Sequence, residues 1–297
     1  MLFGSLNIDE SFGIACDASG NVFVTGWCDG SIEGNPYLSN GDNFLAKYDT
    51  NGQRQWLRQW GTFNKDTGYS LACDAAGNVY VSGYTTGPLY DSPLGNRDYF
   101  LAKYDASGNS LWGRQTGTSG HDQGWGVATD AAGYVYLAGE TGGPLDGNVY
   151  EGGLDIFLTK YDPTGTSLCT TQIGTAGDDW ADGVAVATNG VVFLAGTTYG
   201  SLDGNSNQGL SDAFVMKFTP APADFDRDCD VDDADFLQFD ACFTGPQVPG
   251  PPASGCTSAQ FEAANSDGDT DVDQTDFSIF QRCYSGEGNP ADPNCAN

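Results

Sequence analysis

Between Leu71 and Arg114 the chain alternates in steps of two, with branched or aromatic residues taking turns with small or polar ones. Leu71–Asp74 and Val79–Tyr84 flank a tight Asp-Ala-Ala-Gly-Asn turn, and Phe100–Tyr104 and Ser110–Arg114 flank a second turn, Asp-Ala-Ser-Gly. Short alternating runs bounded by Asp, Asn and Gly predict strands joined in hairpins. The Asp that opens each turn can bond backbone two residues on, and the Gly supplies a positive φ. No stretch of this region carries the 3.6-residue period of a helix.

The same pattern occurs four times. The turn glycine falls at Gly20, Gly77, Gly133 and Gly190, and a second glycine six residues later at Gly26, Gly83, Gly139 and Gly196. An Asp five residues before a Lys marks the third strand of each copy: Asp42/Lys47, Asp98/Lys103, Asp155/Lys160 and Asp212/Lys217. That pairing suggests an ion pair between strands or between repeats rather than four active lysines. Copies lie 56 or 57 residues apart. Four antiparallel strands per unit, repeated, predict an all-β propeller of four four-stranded blades over residues 1–219.

The last copy ends after its third strand, Ala213–Phe218, while Met1-Leu2-Phe3-Gly4 aligns with Arg58-Gln59-Trp60-Gly61 at the end of a fourth strand. The expectation is that this N-terminal strand closes the last blade, which protects the sheet edge. Two alternatives are a fragment that has lost upstream blades and an assembly in which one chain completes its neighbour's blade.

In this topology the tight turns share one face and the longer loops, 28–42, 85–98, 141–155 and 197–212, share the other, where binding usually resides. These loops carry Tyr37, Tyr90, Tyr150 and Tyr199, candidates for contact with a glycan or a protein. The fourth-to-first loops repeat Asp9, Asp66, Asp122 and Asp179, which either ring a channel mouth and hold a cation or cap amides in their own turns. The single histidine, His121, stands beside Asp122, but no Gly-x-Ser-x-Gly elbow accompanies it. No phosphate-binding glycine loop or zinc-ligand cluster appears either. The expectation is a protein that is not an enzyme. A carbohydrate-active site on the propeller axis, built from paired carboxylates, is the alternative.

Beyond Pro220–Ala223, a short stiff linker, the pattern changes. Two acidic loops lie 41 residues apart, each followed by an apolar helical stripe: Phe236, Phe239, Phe243 and Phe277, Phe280, Tyr284. Asp224, Asp226, Asp228, Asp232 and Asp235 stand at positions 1, 3, 5, 9 and 12 of the first loop, with the carbonyl of Asp230 at position 7. Asn265, Asp267, Asp269, Asp273 and Asp276, with Asp271, repeat the arrangement. Hard oxygen donors at this spacing suit Ca2+. Val231 and Val272 occupy position 8, where paired loops bridge. Position 6 is Cys229 or Thr270 rather than Gly, which requires a strained or altered backbone. Because Asn265 is neutral, the first loop is expected to hold calcium at least as well as the second. The cysteine spacing suggests Cys242–Cys256 and Cys283–Cys295 bridges, leaving Cys229 over.

Charge and cysteine usage narrow the setting. Residues 1–220 carry 24 acidic and 9 basic side chains, and residues 221–297 carry 16 and 2, for a net −29 in all. Such a field repels nucleic acid and attracts divalent cations. No apolar run is long enough to span a membrane as a helix, and no leader is visible at the start of this chain. Five of nine cysteines lie in the acidic tail, which points to an oxidising, extracellular or cell-surface location.

Two resemblances follow from these residues. Asp-Ala-Ala-Gly-Asn-Val-Tyr-Val-Ser-Gly, followed by Asp-Tyr-Phe-Leu-Ala-Lys-Tyr-Asp-Ala-Ser-Gly, resembles the bacterial SBBP-type β-propeller repeat over residues 1–220. Two loop–helix units without a full entering helix look like a dockerin over residues 224–297, a module whose family binds a cohesin partner in the presence of calcium. Together they imply a propeller scaffold with a calcium-dependent attachment module. Its partner would be a protein of cohesin type, or another copy through the tail. A structural subunit of an extracellular filament or surface lattice is the alternative.

Overall fold

The computed structural model describes residues 2–252, 255–292, 294 and 295. The chain forms two compact units that divide between Lys217 and Phe218, so the Pro-rich segment belongs to the second.

The first unit contains four antiparallel sheets in series. Strands β1 (Asp9–Cys16), β2 (Val22–Cys28), β3 (Asp42–Tyr48) and β4 (Arg54–Trp60) form the first, paired in chain order. The second holds β5 (Asp66–Cys73), β6 (Val79–Thr85), β7 (Asp98–Tyr104) and β8 (Ser110–Thr116). The third holds β9 (Asp122–Thr129), β10 (Val135–Thr141), β11 (Asp155–Tyr161) and β12 (Ser167–Ile173). The fourth has only β13 (Asp179–Val186), β14 (Val192–Thr198) and β15 (Asp212–Phe218).

The tight turns form as their residues dictate. Asp74 Oδ1 accepts from the amides of Ala76 (3.0 Å) and Asn78 (2.8 Å), with Gly77 at φ +80°. The second repeated glycine has a different cause. A β-bulge between the first two strands of the second sheet brings Gly83 against the Thr67 carbonyl, where a Cβ would lie 1.9 Å from the oxygen.

The sheets pack face to face in order. Phe23 and Leu45 of the first sheet meet Leu71, Val79, Val81 and Phe100 of the second. Tyr80 and Leu101 of the second meet Val127, Val135, Leu137 and Phe157 of the third. Each fully buried side chain of this size stabilises by roughly 1.5–3 kcal/mol.

The repeated lysine does join neighbouring blades, but not through its Asp. Lys47 Nζ donates to the Ala106 carbonyl (3.0 Å) and Lys103 Nζ to the Pro163 carbonyl (3.1 Å), each in the second tight turn of the next blade. Arg58 and Arg114 grip the same turns at Gly108 and Gly165. Asp42, Asp98 and Asp155 instead accept from the amides of Gln59, Gln115 and Gln172 on the outer strands. An odd spacing along a strand puts the two side chains on opposite faces, so each finds a different partner, and Lys103 also lies 3.9 Å from Asp74, in the turn after the first strand of its own sheet.

The N-terminal closure fails. Met1 lies outside the described residues, Leu2–Gly4 belong to no strand, and the fourth sheet keeps three strands. Phe3 packs edge-on against Phe44, 5.3 Å between centroids, and 6.3 Å from Tyr48, so it sits on the first sheet. The reason lies in the repeat itself. Trp60, which aligns with Phe3, packs at 5.0 Å on Tyr104 of the following blade. The end of an outer strand therefore belongs by packing to the next blade, and Phe3 obeys that rule on the first.

The second unit contains α1 (Asp233–Cys242), α2 (Ser258–Ala264) and α3 (Gln274–Cys283), with disulfides Cys242–Cys256 and Cys283–Cys295. Phe239, Phe261, Phe280, Ile279, Val231 and Val272 form its core, with Phe225 stacked on Phe280. The apolar stripe is shorter than expected. Phe243 and Tyr284 are the C-cap residues of α1 and α3 and are exposed, because the helices end before a third apolar turn. Helix α2, seven residues long, lies directly before the second loop, where the sequence reading places no full entering helix. Its signal was present as a capping box, Thr257 with Gln260 three residues on.

Candidate metal centre

Each acidic loop wraps onto the N-terminus of the helix that follows it. In the first, Asp232 is the N-cap of α1 and Asp235 its third residue, and together they make a capping box. Asp235 Oδ2 accepts from the Asp232 amide (3.0 Å) and Oδ1 reaches back to the amides of Phe225 and Asp226. Asp276 does the same in the second loop, accepting from Asp273 (2.8 Å), Ser266 (2.7 Å) and Asp267 (3.2 Å). One buried carboxylate thus fixes both ends of each twelve-residue loop. It sits where a helix N-terminus favours negative charge.

Oxygens of Asp224, Asp226, Asp228 and Asp235 converge within 4.8 Å of one another, and Asp230, Asp232 and Asp235 make a second such group. Burial, followed by the charges of Asp235 and Asp228, pushes the Asp226 carboxyl up to about 6. Crowded carboxylates whose charged forms are disfavoured are the electrostatic condition that a divalent cation relieves. Asp230 Oδ1 and Asp271 Oδ1 are buried without a hydrogen-bond partner. The donor set is entirely oxygen, which fits a hard cation. In the second loop no comparable group of three carboxylates converges among the described residues, consistent with a neutral Asn265 at its first position, whose Oδ1 accepts from the Gly268 amide (3.0 Å).

The loops are cross-braced by a pseudo-symmetric exchange. Val231 and Val272 do not bridge to each other in the hydrogen bonds described. Val231 O accepts from Ser285 and Gly286, after α3, and Val272 O accepts from Thr244 and Gly245, after α1. The side chains at position 7 repeat the exchange: Asp230 accepts from the Gly288 amide and Asp271 from Gln247. Each loop is therefore held by the segment behind the other loop's helix. Strain is confined to the first loop. Arg227 (φ +65°) and Cys229 (φ +83°) are left-handed, whereas in the second loop Gly268 takes that conformation at +77° and Thr270 does not. Cys229 is disulfide-bonded, not a leftover thiol.

On the first unit, each of the four repeated carboxylates accepts from its own turn, although Asp9 Oδ1 and Asp179 Oδ1 are buried without a partner. Asp66 Oδ2 accepts from the Thr62 amide (2.6 Å) and hydroxyl, and Asp122 from Thr118 in the same way. Asp179 accepts from Thr175 and Asp9 from the Ser5 amide. Asp66, Asp122 and Asp179 are wholly buried at the starts of their strands. The four loop tyrosines diverge. Tyr37 donates to Asp29 (2.6 Å), and Tyr150 donates to the Gly153 carbonyl while remaining exposed. Tyr199 is exposed beside Trp180. Tyr90 is withdrawn from the surface: its ring packs toward Phe100 and lies across Gly113, where a Cβ would come within 2.2 Å of it.

Antiparallel sheets packed in series, three of four strands and one of three, are consistent with the blades of a β-propeller, here joined to a small helical unit that carries the Cys242–Cys256 and Cys283–Cys295 disulfides. Residues 55–90 and 111–146 each match the family model described as the SBBP β-propeller repeat. The regulatory protein FlaEY of Caulobacter vibrioides is 30% identical over 182 residues, covering 56% of this chain and 19% of that protein. An uncharacterised WD repeat-containing protein, L264, of Acanthamoeba polyphaga mimivirus is 26% identical over 210 residues, covering 56% of this chain and 15% of that protein. The chain thus spans under a fifth of the length of either relative. A solved structure of a protein of unknown function from Bacteroides caccae aligns at 10% identity with a TM-score of 0.39, covering 69% of this chain and 63% of that one.

Proposed function

We propose that this is an extracellular, non-enzymatic binding or assembly protein, in which the propeller is the interaction scaffold and the acidic tail a calcium-dependent attachment module of dockerin type. The observation that carries this reading is the convergence of Asp224, Asp226, Asp228 and Asp235 within 4.8 Å on a disulfide-braced loop–helix unit. Asp224, Asp226, Asp228 and Asp235, with Asp232 and the carbonyl of Asp230, would hold the ion in the first loop. Asn265, Asp267, Asp269 and Asp276, with Asp273 and the carbonyl of Asp271, would hold it in the second. Bound calcium neutralises the carboxylates and fixes each loop against its helix. The chain's own contribution is the bracing. Asp235 and Asp276 hold the loop ends together, and the exchanges at Val231 and Val272 tie each loop to the segment behind the other loop's helix. An attachment surface built from α1 and α3 would then be ordered only when both loops are loaded. The exposed Leu237 and Phe243 on or beside α1 supply apolar contact for a protein partner.

The experiment is capture on the immobilised full chain from secretions of the native source, with calcium and with a chelator. A protein retained only with calcium supports the reading, and a partner retained equally in chelator contradicts it.

A further inference from the structure

The first unit presents two uncovered sheet faces, one at each end of the series. On the first sheet Ile14 is 70% exposed, whereas Leu71 and Val127, at the same position of the next two sheets, are each 6% exposed under the preceding blade. Around Ile14 lies a groove of about 750 Å³ lined by Phe3, Phe12, Val22, Val24 and Tyr48, with the Asp49–Gly52 turn at its rim. On the fourth sheet Val215 is 75% exposed, whereas Leu45 and Leu101 at its position are fully buried. Phe193 is 39% exposed where Phe23 and Tyr80 are fully buried. Among the described residues the inner strands pack in the order β1, β5, β9, β13, and β13 is not packed on β1 as its neighbours are on one another.

These faces are not two unrelated apolar patches. The face of the fourth sheet is the side of the repeat that the first and second sheets turn toward their successors. The face of the first sheet is the side that the second and third turn toward their predecessors. Each is the complement of the other by construction. We propose that two copies of this chain close one eight-bladed ring, the fourth sheet of each packing on the first sheet of the other.

Three contacts follow from repeat equivalence. Val215 and Phe193 fill the groove around Ile14 as Leu45 and Phe23 fill the space beside Leu71. Lys217 donates to the Thr50 carbonyl of the other copy, as Lys47 does to Ala106 and Lys103 to Pro163. Finally, Phe3 already sits on the first sheet as the end of a preceding outer strand would. Its backbone would therefore lie along the free edge of β15 in the other copy. The register of β3 on β4, Asn43 opposite Trp60 and Phe44 opposite Gln59, puts Phe3 opposite Ala213 and Leu2 opposite Phe214. Eight blades fall within the range that propellers adopt, and a closed ring removes both exposed faces and protects the β15 edge. This association is independent of the calcium reading, since it uses no residue of the second unit.

The test is the mass of the purified 297-residue chain by size-exclusion chromatography with light scattering, in chelator. The expected mass is twice that of the 31.2 kDa chain. Ile14→Arg and Val215→Arg, both at exposed positions and so compatible with the fold, each reduce it to that of one chain. An equimolar mixture of the two variants recovers a species of two chains, because one of its two junctions combines an intact fourth sheet with an intact first sheet. A wild-type monomer at every concentration overturns the proposal, as does a dimer that survives Val215→Arg. Mass that keeps growing with concentration overturns the closed ring.

Discussion

Replacing Asp122 by Ala tests whether the buried carboxylate at each blade junction is structural. Its oxygens accept from the Thr118 amide at 2.7 Å, the Thr118 hydroxyl at 3.1 Å and the Thr141 hydroxyl at 2.5 Å. The two hydroxyls have other partners. Thr141 Oγ1 also lies 3.0 Å from the Gly143 carbonyl, and Thr118 Oγ1 accepts from the Gly120 amide. The Thr118 amide has no substitute and is orphaned in a buried turn. A buried donor left unsatisfied costs about 1–3 kcal/mol, with a smaller increment for the weakened hydroxyl bonds. The expected loss is therefore about 2–3 kcal/mol rather than the sum of all the hydrogen bonds to the carboxylate. For a unit of this size, that corresponds to a fall in Tm of roughly 5–10 °C by calorimetry. A second readout is pH. Burial raises the Asp122 carboxyl above its ordinary value, although its hydrogen bonds oppose the shift. The folded state therefore takes up a proton more readily than the unfolded one, and this contribution is present at low pH and lost as pH rises through the raised value. The gap between wild type and Asp122→Ala should thus widen as the pH is lowered from neutral toward 4. A Tm within 1 °C of wild type at neutral pH would refute the structural role. A gap that narrows on acidification would refute the sign.

Other outcomes follow from the same junctions. In the first sheet Cys28 stands where Thr85 and Thr141 donate to Asp66 and Asp122, and Asp9 Oδ1 is buried without a partner. Cys28→Thr should therefore raise stability by about 1 kcal/mol, read as an increased melting temperature. Gly113→Val should drive Tyr90 out of its seat, cost about 1–3 kcal/mol by overpacking, and change the near-ultraviolet circular dichroism of the adjoining aromatic cluster. Burial pushes the Cys28 and Cys73 thiols up to about 12, whereas Cys16 is exposed. Alkylation of the native protein at pH 8 should modify Cys16 first, and equal labelling of all three would contradict the packing.

The strands and turns were legible because their causes are local: a period of two, an Asp that bonds its own turn, and a Gly where φ is positive. What escaped the sequence depended on residues brought together from afar. Tyr90 reads as a surface tyrosine until Gly113, on the outer strand, provides the flat space that its ring covers. Phe3 aligns plainly with Trp60, but the alignment does not reveal that Trp60 packs on the following blade, and this decided where the N-terminus lies. The partners of the Asp–Lys motif were not readable either, since Gln59, which meets Asp42, lies on another strand and Ala106, which meets Lys47, on another blade. In the tail the ligand spacing was readable, because a twelve-residue loop brings its own donors together. The cross-bracing of Val231 and Val272 by segments behind the opposite helices was not, since it joins residues 54 and 28 positions apart.

Calcium binding by the tail is decided by isothermal titration of calcium into the full chain, in wild type and in a variant with Asp226→Asn and Asp228→Asn. The expected result is saturable binding to the wild type, a rise in the melting temperature of the helical unit on loading, and loss of the first-loop event in the variant. No heat of binding and no change in melting on adding calcium would contradict it.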